Sequence, residues 1–222
     1  MTNQIDNPNI NDNRNYDYTN FSSFERKEFE IISNFIKPNS KVLDLACGNG
    51  SLLLKLKRDK NITEYGIDIS ESGINICKQN NLNAHIGKID EVLPFEDNYF
   101  DYAICNVTIQ MVMYPEVLLK EMKRVSRYLI ISFPNFGFYK NRIEFIFSGN
   151  MPKTTLFGYK WYSTGHIHQL SIKDFKNFVA EVGGLNIKEL KYIPTNNCIK
   201  NYFINIFPNL FLIHPIFLIE KN

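Results

Sequence analysis

A strand, a glycine turn and a helix follow one another without a gap at residues 41–56. Lys41-Val42-Leu43-Asp44-Leu45 alternates and concentrates apolar residues like a buried strand, and Ser51-Leu52-Leu53-Leu54-Lys55-Leu56 reads as the opening turns of a helix. Between them lies Ala46-Cys47-Gly48-Asn49-Gly50, with two glycines one residue apart. Such a unit lets the backbone pass close to a ligand and aims a helix N-terminus at it. The dinucleotide fingerprint requires a third glycine at position 53, where this chain has Leu53, so an NAD-dependent enzyme is disfavoured. Asp44 stands near the strand end, where an acid would receive a cationic amino group rather than tolerate a pyrophosphate. The plainer alternative is a strand-to-helix turn that binds nothing.

Composition narrows the class. At 222 residues, 44% hydrophobic and 22% charged, the chain suits one globular domain with a sizeable core. Its formal charge of +2 leaves no electrostatic footprint for nucleic acid. Cys47, Cys77, Cys105 and Cys198 are scattered, with no Cys-x-x-Cys pair, so no metal site is expected and a cytoplasmic location fits. No basic-then-apolar leader opens the sequence, so no secretion signal is expected. The longest apolar region, 203–219, is broken by Pro208, Asn209, His214 and Pro215 and does not read as a spanning helix. A role at a membrane surface stays open for it.

Taken in order, residues 1–20 are rich in Asn and Asp and read as a mobile tail, with Tyr16 and Tyr18 as exceptions. Helical spacing of Phe29, Ile32, Phe35 and Ile36, from about Phe24, is stopped by Pro38-Asn39. The second strand, from Thr63, ends in Asp68, 20 positions past Gly48. That is the spacing of an acid gripping a ribose diol; the alternative is that Asp68 only caps the helix opening at Ser70. A third strand near 83–86 leads to Lys88-Ile89-Asp90, and a fourth ends at Asn106. A helix is expected over 115–125 and a fifth strand, buried on both faces, over 127–133. A further helix over 171–182 ends at Gly183-Gly184, and strands at 185–193 and 213–220 finish the sheet. Residues 196–212 read as aromatic and irregular.

Asp44 before Gly48-Asn49-Gly50 resembles the first motif of class I S-adenosylmethionine (SAM)-dependent methyltransferases, and "LPFEDNYFDYAICN" resembles that superfamily's entry into its fourth strand. Later stretches narrow the resemblance. Tyr114–Gly137 ("YPEVLLKEMKRVSRYLIISFPNFG"), "SGNMP", "YKWYSTGHIHQLSIKDF" and a late "FPNL" are similar to the MetW family of methionine biosynthesis proteins, in the same order. The resemblance runs from about residue 25 to the end. The chain departs from the family at Ala46, where a glycine is frequent, at Lys88, and at Gly165-His166, where Pro-Asn is usual.

The resemblance implies an α/β, Rossmann-like class I methyltransferase fold. Its seven-stranded, mostly parallel sheet has the order 3-2-1-4-5-7-6, an antiparallel last strand and helices on both faces. It implies SAM as cofactor and S-adenosylhomocysteine as product. Asp44, Ala46, Cys47, Gly48 and Gly50 would hold the donor at the first turn, with Asp68 and Ile69 beside the ribose. Ile89 and Asp90 would lie near the adenine, and Asn106 would stand over the methyl group. The family's adenine-binding acid aligns with Lys88, which cannot accept a hydrogen bond, so either Asp90 substitutes or the backbone alone reads the ring. A tyrosine before the first helix, here Tyr16 or Tyr18, would touch the donor's carboxylate.

Residues 134–170 interrupt the strand–helix rhythm with Pro, Gly, aromatics, Trp161, His166 and His168. At the carboxyl edge of the sheet such an insert is placed to roof the donor and shape an acceptor pocket. His168 is the candidate general base; the alternative is that His168 and Trp161 only lock the loop. Methyl transfer from a sulfonium needs little proton chemistry, so the lack of an evident catalytic pair does not count against an enzyme. Two functions follow: a methyltransferase acting on a small-molecule acceptor, or a subunit that supports homoserine O-acyltransferase. In the second, Phe136, Phe138 and Trp161 would serve as exposed anchors.

Overall fold

The computed structural model describes residues 16–19 and 25–222. Apart from Tyr16–Thr19, the expected tail lies outside the described residues, as does Phe24, the expected start of the first helix. The chain runs α1 (Lys27–Phe35), β1 (Lys41–Leu45), α2 (Ser51–Lys60), β2 (Thr63–Asp68), α3 (Glu71–Gln79), β3 (Ala84–Ile86) and β4 (Phe100–Asn106). It continues through α4 (Pro115–Val125), β5 (Ser126–Ser132), α5 (Tyr139–Ser148), a 3-10 turn at Thr154–Leu156 and α6 (Ile172–Val182). β6 (Leu185–Lys191), α7 (Cys198–Ile206), α8 (Pro208–Phe211) and β7 (Ile216–Lys221) complete it.

β1 pairs in parallel with β2 and β4, which sets Asp44 between Gly66 and Ile104. The seven strands take the order β3-β2-β1-β4-β5-β7-β6, and β7 is antiparallel to both its neighbours. This is the expected class I methyltransferase sheet. Strand alternation splits the core in two. Leu43, Leu45, Ala103, Leu129, Ile131 and Phe217 pack under Leu118, Met122, Phe175 and Val179 of α4 and α6. Val42, Ile104, Ile130 and Ile216 pack under Ile32, Leu53, Leu56 and Ile74 of α1–α3. No helix among the described residues is long and apolar enough to cross a membrane.

Local chemistry sets the element ends. Pro115 opens α4 at a position whose N–H needs no partner. Ser171 and Asp174 form a reciprocal capping box on α6, which stops at Gly183 with φ 67°. The last strands are shorter than expected, and residues 196–212, expected to be irregular, hold α7 and α8. The reason for the miss is physical: α7 has a helical apolar stripe, but it buries only Ile204, so its periodicity had no core to answer to.

The turn before β4 is built by α4. Glu121 accepts the Leu93 N–H at 2.7 Å, and Arg124 donates to the carbonyls of Leu93 (2.9 Å) and Phe95 (2.7 Å) and to Glu121 (2.7 Å). The Arg124 guanidinium holds the Glu121 carboxyl below its ordinary value. Replacing Arg124 by Ala strands two carbonyls and a carboxylate. It is expected to cost about 1.5–3 kcal/mol in urea unfolding; a loss under about 0.5 kcal/mol would show that the turn holds without it.

Candidate functional site

The glycine turn is held from the second strand. Ala46 and Cys47 both donate their N–H to the Ile67 carbonyl, at 2.7 and 3.1 Å. One oxygen of Asp68 accepts the Gly48 N–H at 2.7 Å, and the other accepts the Ser70 N–H at 2.7 Å. Asp68 therefore fastens the turn and at the same time holds the backbone of Ser70, the residue whose side chain caps α3. Ala46, Gly48 and Gly50 have φ of 68°, 56° and 75°, in the left-handed region. That explains why glycine suits position 46 and why alanine there is strained. Asn49 accepts from the Ser51 hydroxyl at 2.7 Å, fixing the start of α2. Gly73 completes the frame, because a Cβ there would meet the Gly48 carbonyl at 2.7 Å.

Two cavities flank this turn. A small one of about 110 Å³ is bordered by Asp44, Gly48, Asn49, Asn106, Arg26 and, from the insert, Phe157 and His166. A larger one of about 420 Å³ is bordered by Asp68, Ile69, Lys88, Ile89, Asp90, Met113 and Tyr114. The larger is of the size that takes a small ligand. Tyr16 and Tyr18 border both. Their segment is tied down by the Tyr18 N–H, which donates to Ser72 Oγ at 2.9 Å, and by the Ser70 hydroxyl, which donates to the Tyr16 carbonyl. A Cβ on Gly48 would come within 2.6 Å of Tyr18 Oη, so the tyrosine lies directly on the turn.

The charges in the crevice are unusual. Asp44 is buried, and desolvation, with the nearby Asp68 charge, pushes its carboxyl up to about 7. Among the described residues, no hydrogen bond offsets either cause. Burial also raises Asp68, against the backbone N–H groups that favour its charge. Burial holds the His166 imidazole down at about 4, so it is neutral at pH 7. Its Nδ1 lies 3.0 Å from Thr164 Oγ1, while its buried Nε2 has no partner among the described residues.

Ten residues were named from sequence as donor-binding. Asp44, Ala46, Cys47, Gly48 and Asn106 border the small cavity, Asp68, Ile69, Ile89 and Asp90 the larger, and Ala46 borders both. Gly50 acts one step back, as the left-handed residue from which α2 departs. Asp90 spends Oδ2 on the N–H groups of Met113 (2.9 Å) and Tyr114 (3.1 Å), and Lys88 is turned outward to Glu91 at 3.0 Å. His168 is not among the described residues bordering either cavity; its Nε2 lies 3.4 Å from the Met113 carbonyl. Trp161 does not border them either and is exposed, Phe136 is half-buried, and Phe138 is buried.

Sequence reasoning passed over Arg26 and Gly73, whereas Val107 follows Asn106 at the carboxyl edge where the sequence places the methyl group. Arg26 lies far from any motif, and only the packing of α1 against α2 and β7 brings it to the cavity that Asp44 borders. Val107, a β-branched residue at φ 64°, is a backbone outlier at the carboxyl end of β4. Its N–H is pinned by the Ser132 carbonyl and hydroxyl.

Asp44 makes the unliganded protein pH-sensitive. Its folded pKa of about 7 exceeds the unfolded 3.8, so its contribution to stability is fully present below pH 3.8 and is lost as the pH rises through about 7. Asp44→Asn is therefore expected to gain on the wild type across that window, reaching roughly 2–4 kcal/mol at pH 8. Equal unfolding free energies at pH 8 would contradict the burial of a charge there.

The family model described as methionine biosynthesis protein MetW matches residues 26–219. A Rhodopirellula baltica protein, "Bifunctional methionine biosynthesis protein MetXA/MetW", is 36% identical over 69% of this chain, which spans 26% of that relative's length. A Staphylococcus aureus demethylmenaquinone methyltransferase is 28% identical over 69% of this chain and 71% of its own. Among solved structures, a SAM-dependent methyltransferase of Thermotoga maritima, described as a possible histamine N-methyltransferase, superposes with a TM-score of 0.59. It is 19% identical and covers 88% of this chain and 87% of its own. A SAM-dependent methyltransferase of Methanosarcina mazei gives 0.61 at 18% identity, covering 86% and 96%. The chain belongs to the MetW family and is built on the class I SAM-dependent methyltransferase fold.

Proposed function

We propose that the crevice binds SAM and that the chain transfers its methyl group to a small-molecule acceptor. The observation that carries this reading is the pairing of Asp44 and Arg26 on one small cavity, next to a larger cavity at Asp68. A free α-amino acid end presents an ammonium and a carboxylate together; a dinucleotide's pyrophosphate presents neither. Asp44 would take the ammonium and Arg26 the carboxylate, with the tyrosine pair closing over them. Asp68 can accept further hydrogen bonds from a ribose diol, because each carboxylate oxygen has two acceptor sites. Ile69 and Ile89 would flank the adenine. The Oδ1 of Asp90 is left for its amine, since Oδ2 is taken.

Bound there, SAM supplies a methyl group activated on a sulfonium. The protein's part is to orient donor and acceptor and to exclude water. Neutral His166, on the Asp44 side, is better placed than His168 to meet a proton of the acceptor. The name of the Staphylococcus aureus relative supports methyl transfer as the activity.

A second reading is a SAM-fold subunit that supports a homoserine O-acyltransferase. It is favoured by the Rhodopirellula baltica relative, whose name joins MetXA to MetW in one chain. Methyl release from labelled SAM on cell extract, without a stable acyltransferase complex, supports the enzyme. A tight complex with raised acyltransferase activity and no methyl release supports the subunit.

Arg26→Gln is expected to weaken SAM binding by about tenfold to a hundredfold, the worth of a charged hydrogen bond, in calorimetry. The same variant should bind adenosine as the wild type does. Equal losses for both ligands would mean that Arg26 supports the fold rather than the amino-acid end. Lys88→Ala should change SAM affinity less than about twofold, because the ammonium is committed to Glu91 on the surface. A tenfold loss there would return the adenine contact to position 88.

A further inference from the structure

The apolar stripe of α7 faces outward. Ile199, Tyr202, Phe203 and Ile206 recur at i, i+3, i+4 and i+7, the spacing of a core-facing helix, yet Ile199 is 69% and Tyr202 63% exposed. The neighbouring α5 does the same. It buries Asn141 and presents Ile143, Ile146 and Phe147, the last at 84% exposure. The two helices belong to one surface, joined through Phe211, whose ring lies 5.6 Å from Tyr139 of α5 and 5.5 Å from Phe203 of α7. Trp161 and Tyr162, in edge contact at 5.4 Å, extend the exposed aromatic set within the same insert.

The charge of these segments is one-sided. Residues 134–170 and 196–215 hold Lys140, Arg142, Lys153, Lys160 and Lys200 against one acid, Glu144, in a chain that carries 25 basic and 23 acidic residues in all. Glu144 accepts the Lys153 N–H and the Thr154 hydroxyl, both at 3.2 Å. On α5, Lys140 is three residues from Ile143 and Arg142 four from Ile146, so cations flank the apolar stripe on both sides. Lys160 lies over the Tyr162 ring at 5.5 Å.

We propose that the face formed by α5, the Trp161–Tyr162 turn and α7 is a membrane-docking surface that seats on an anionic bilayer. Protruding Ile and Phe, a Trp and Tyr rim and flanking cations are the composition of an interfacial helix surface. A bilayer meets all three together, with acyl chains, a headgroup boundary and anionic phosphates. Phe157, exposed in the same insert, also borders the small cavity, so docking sets the mouth of the crevice close to the lipid. The inference goes beyond the proposed methyl transfer and does not depend on it.

Trp161 is the single tryptophan of the chain, so its fluorescence reports on this face alone. The full-length protein is mixed with vesicles of phosphatidylcholine containing 30% phosphatidylglycerol, or with phosphatidylcholine alone, without a methyl donor. The expected result is flotation with the anionic vesicles only, a blue shift of Trp161 emission, and release by salt. Ile146→Glu combined with Ile199→Glu should abolish flotation while leaving the melting temperature unchanged. Lys140→Ala and Lys200→Ala should each weaken it about fivefold, the worth of one cation near such a surface. No flotation at low salt, or flotation that survives the double glutamate variant, overturns the proposal. So does a stable dimer or acyltransferase complex that the double variant breaks while vesicles do not bind, which would make the face a protein interface.

Discussion

The hydrogen bond from Gly48 N–H to Asp68 joins the end of the second strand to the turn after the first, and the rest of the site depends on it. A turn with left-handed residues at 46, 48 and 50 is not self-supporting; its N–H groups must be satisfied from outside. Asp68 and the Ile67 carbonyl supply three acceptor contacts, and Gly73 lets α3 close against the turn without a side chain between. Because the same carboxylate holds the N–H of Ser70, the residue that caps α3, the position of that helix and the shape of the turn are set together.

Electrostatics then gives the crevice its direction. Asp44 carries a carboxyl that burial makes costly to ionise, at a place where a cation would recover the loss. Arg26, just before α1, borders the same small cavity. On the proposed reading, a carboxyl and a guanidinium on one cavity suit a zwitterionic end. The adjoining, larger cavity is bounded mainly by Ile69, Ile89, Val112, Met113 and the acids Asp68 and Asp90, a setting for a flat apolar ring with a polar rim. His166, neutral and buried, adds a polar group without adding charge.

Much of this was legible in the sequence because it rests on local signals. The strand–turn–helix unit, the strand ends at Asp44, Asp68 and Asn106, the helix stops at Gly183 and Pro38, and the sheet order follow from periodicity, turn chemistry and family motifs. What stayed hidden depends on tertiary placement. Arg26 has no motif, and its role comes from where α1 packs. His166 and His168 are two residues apart in an irregular segment, so only the course of the chain decides which borders the cavity. Residues 196–212 read as aromatic and irregular, and they hold α7, which buries only Ile204 and turns its apolar stripe to solvent. Trp161, open in the sequence between a pocket roof, a loop lock and an exposed anchor, is exposed and borders neither cavity.

The central claim is that Asp44 and Arg26 together receive the amino-acid end of the methyl donor. A crystal structure of the full chain with S-adenosylhomocysteine tests it most directly. The account predicts the ligand's carboxylate within hydrogen-bond distance of the Arg26 guanidinium, its ammonium facing Asp44, and its ribose on Asp68. An amino-acid end directed away from both residues, with the adenosine alone in the crevice, would contradict it.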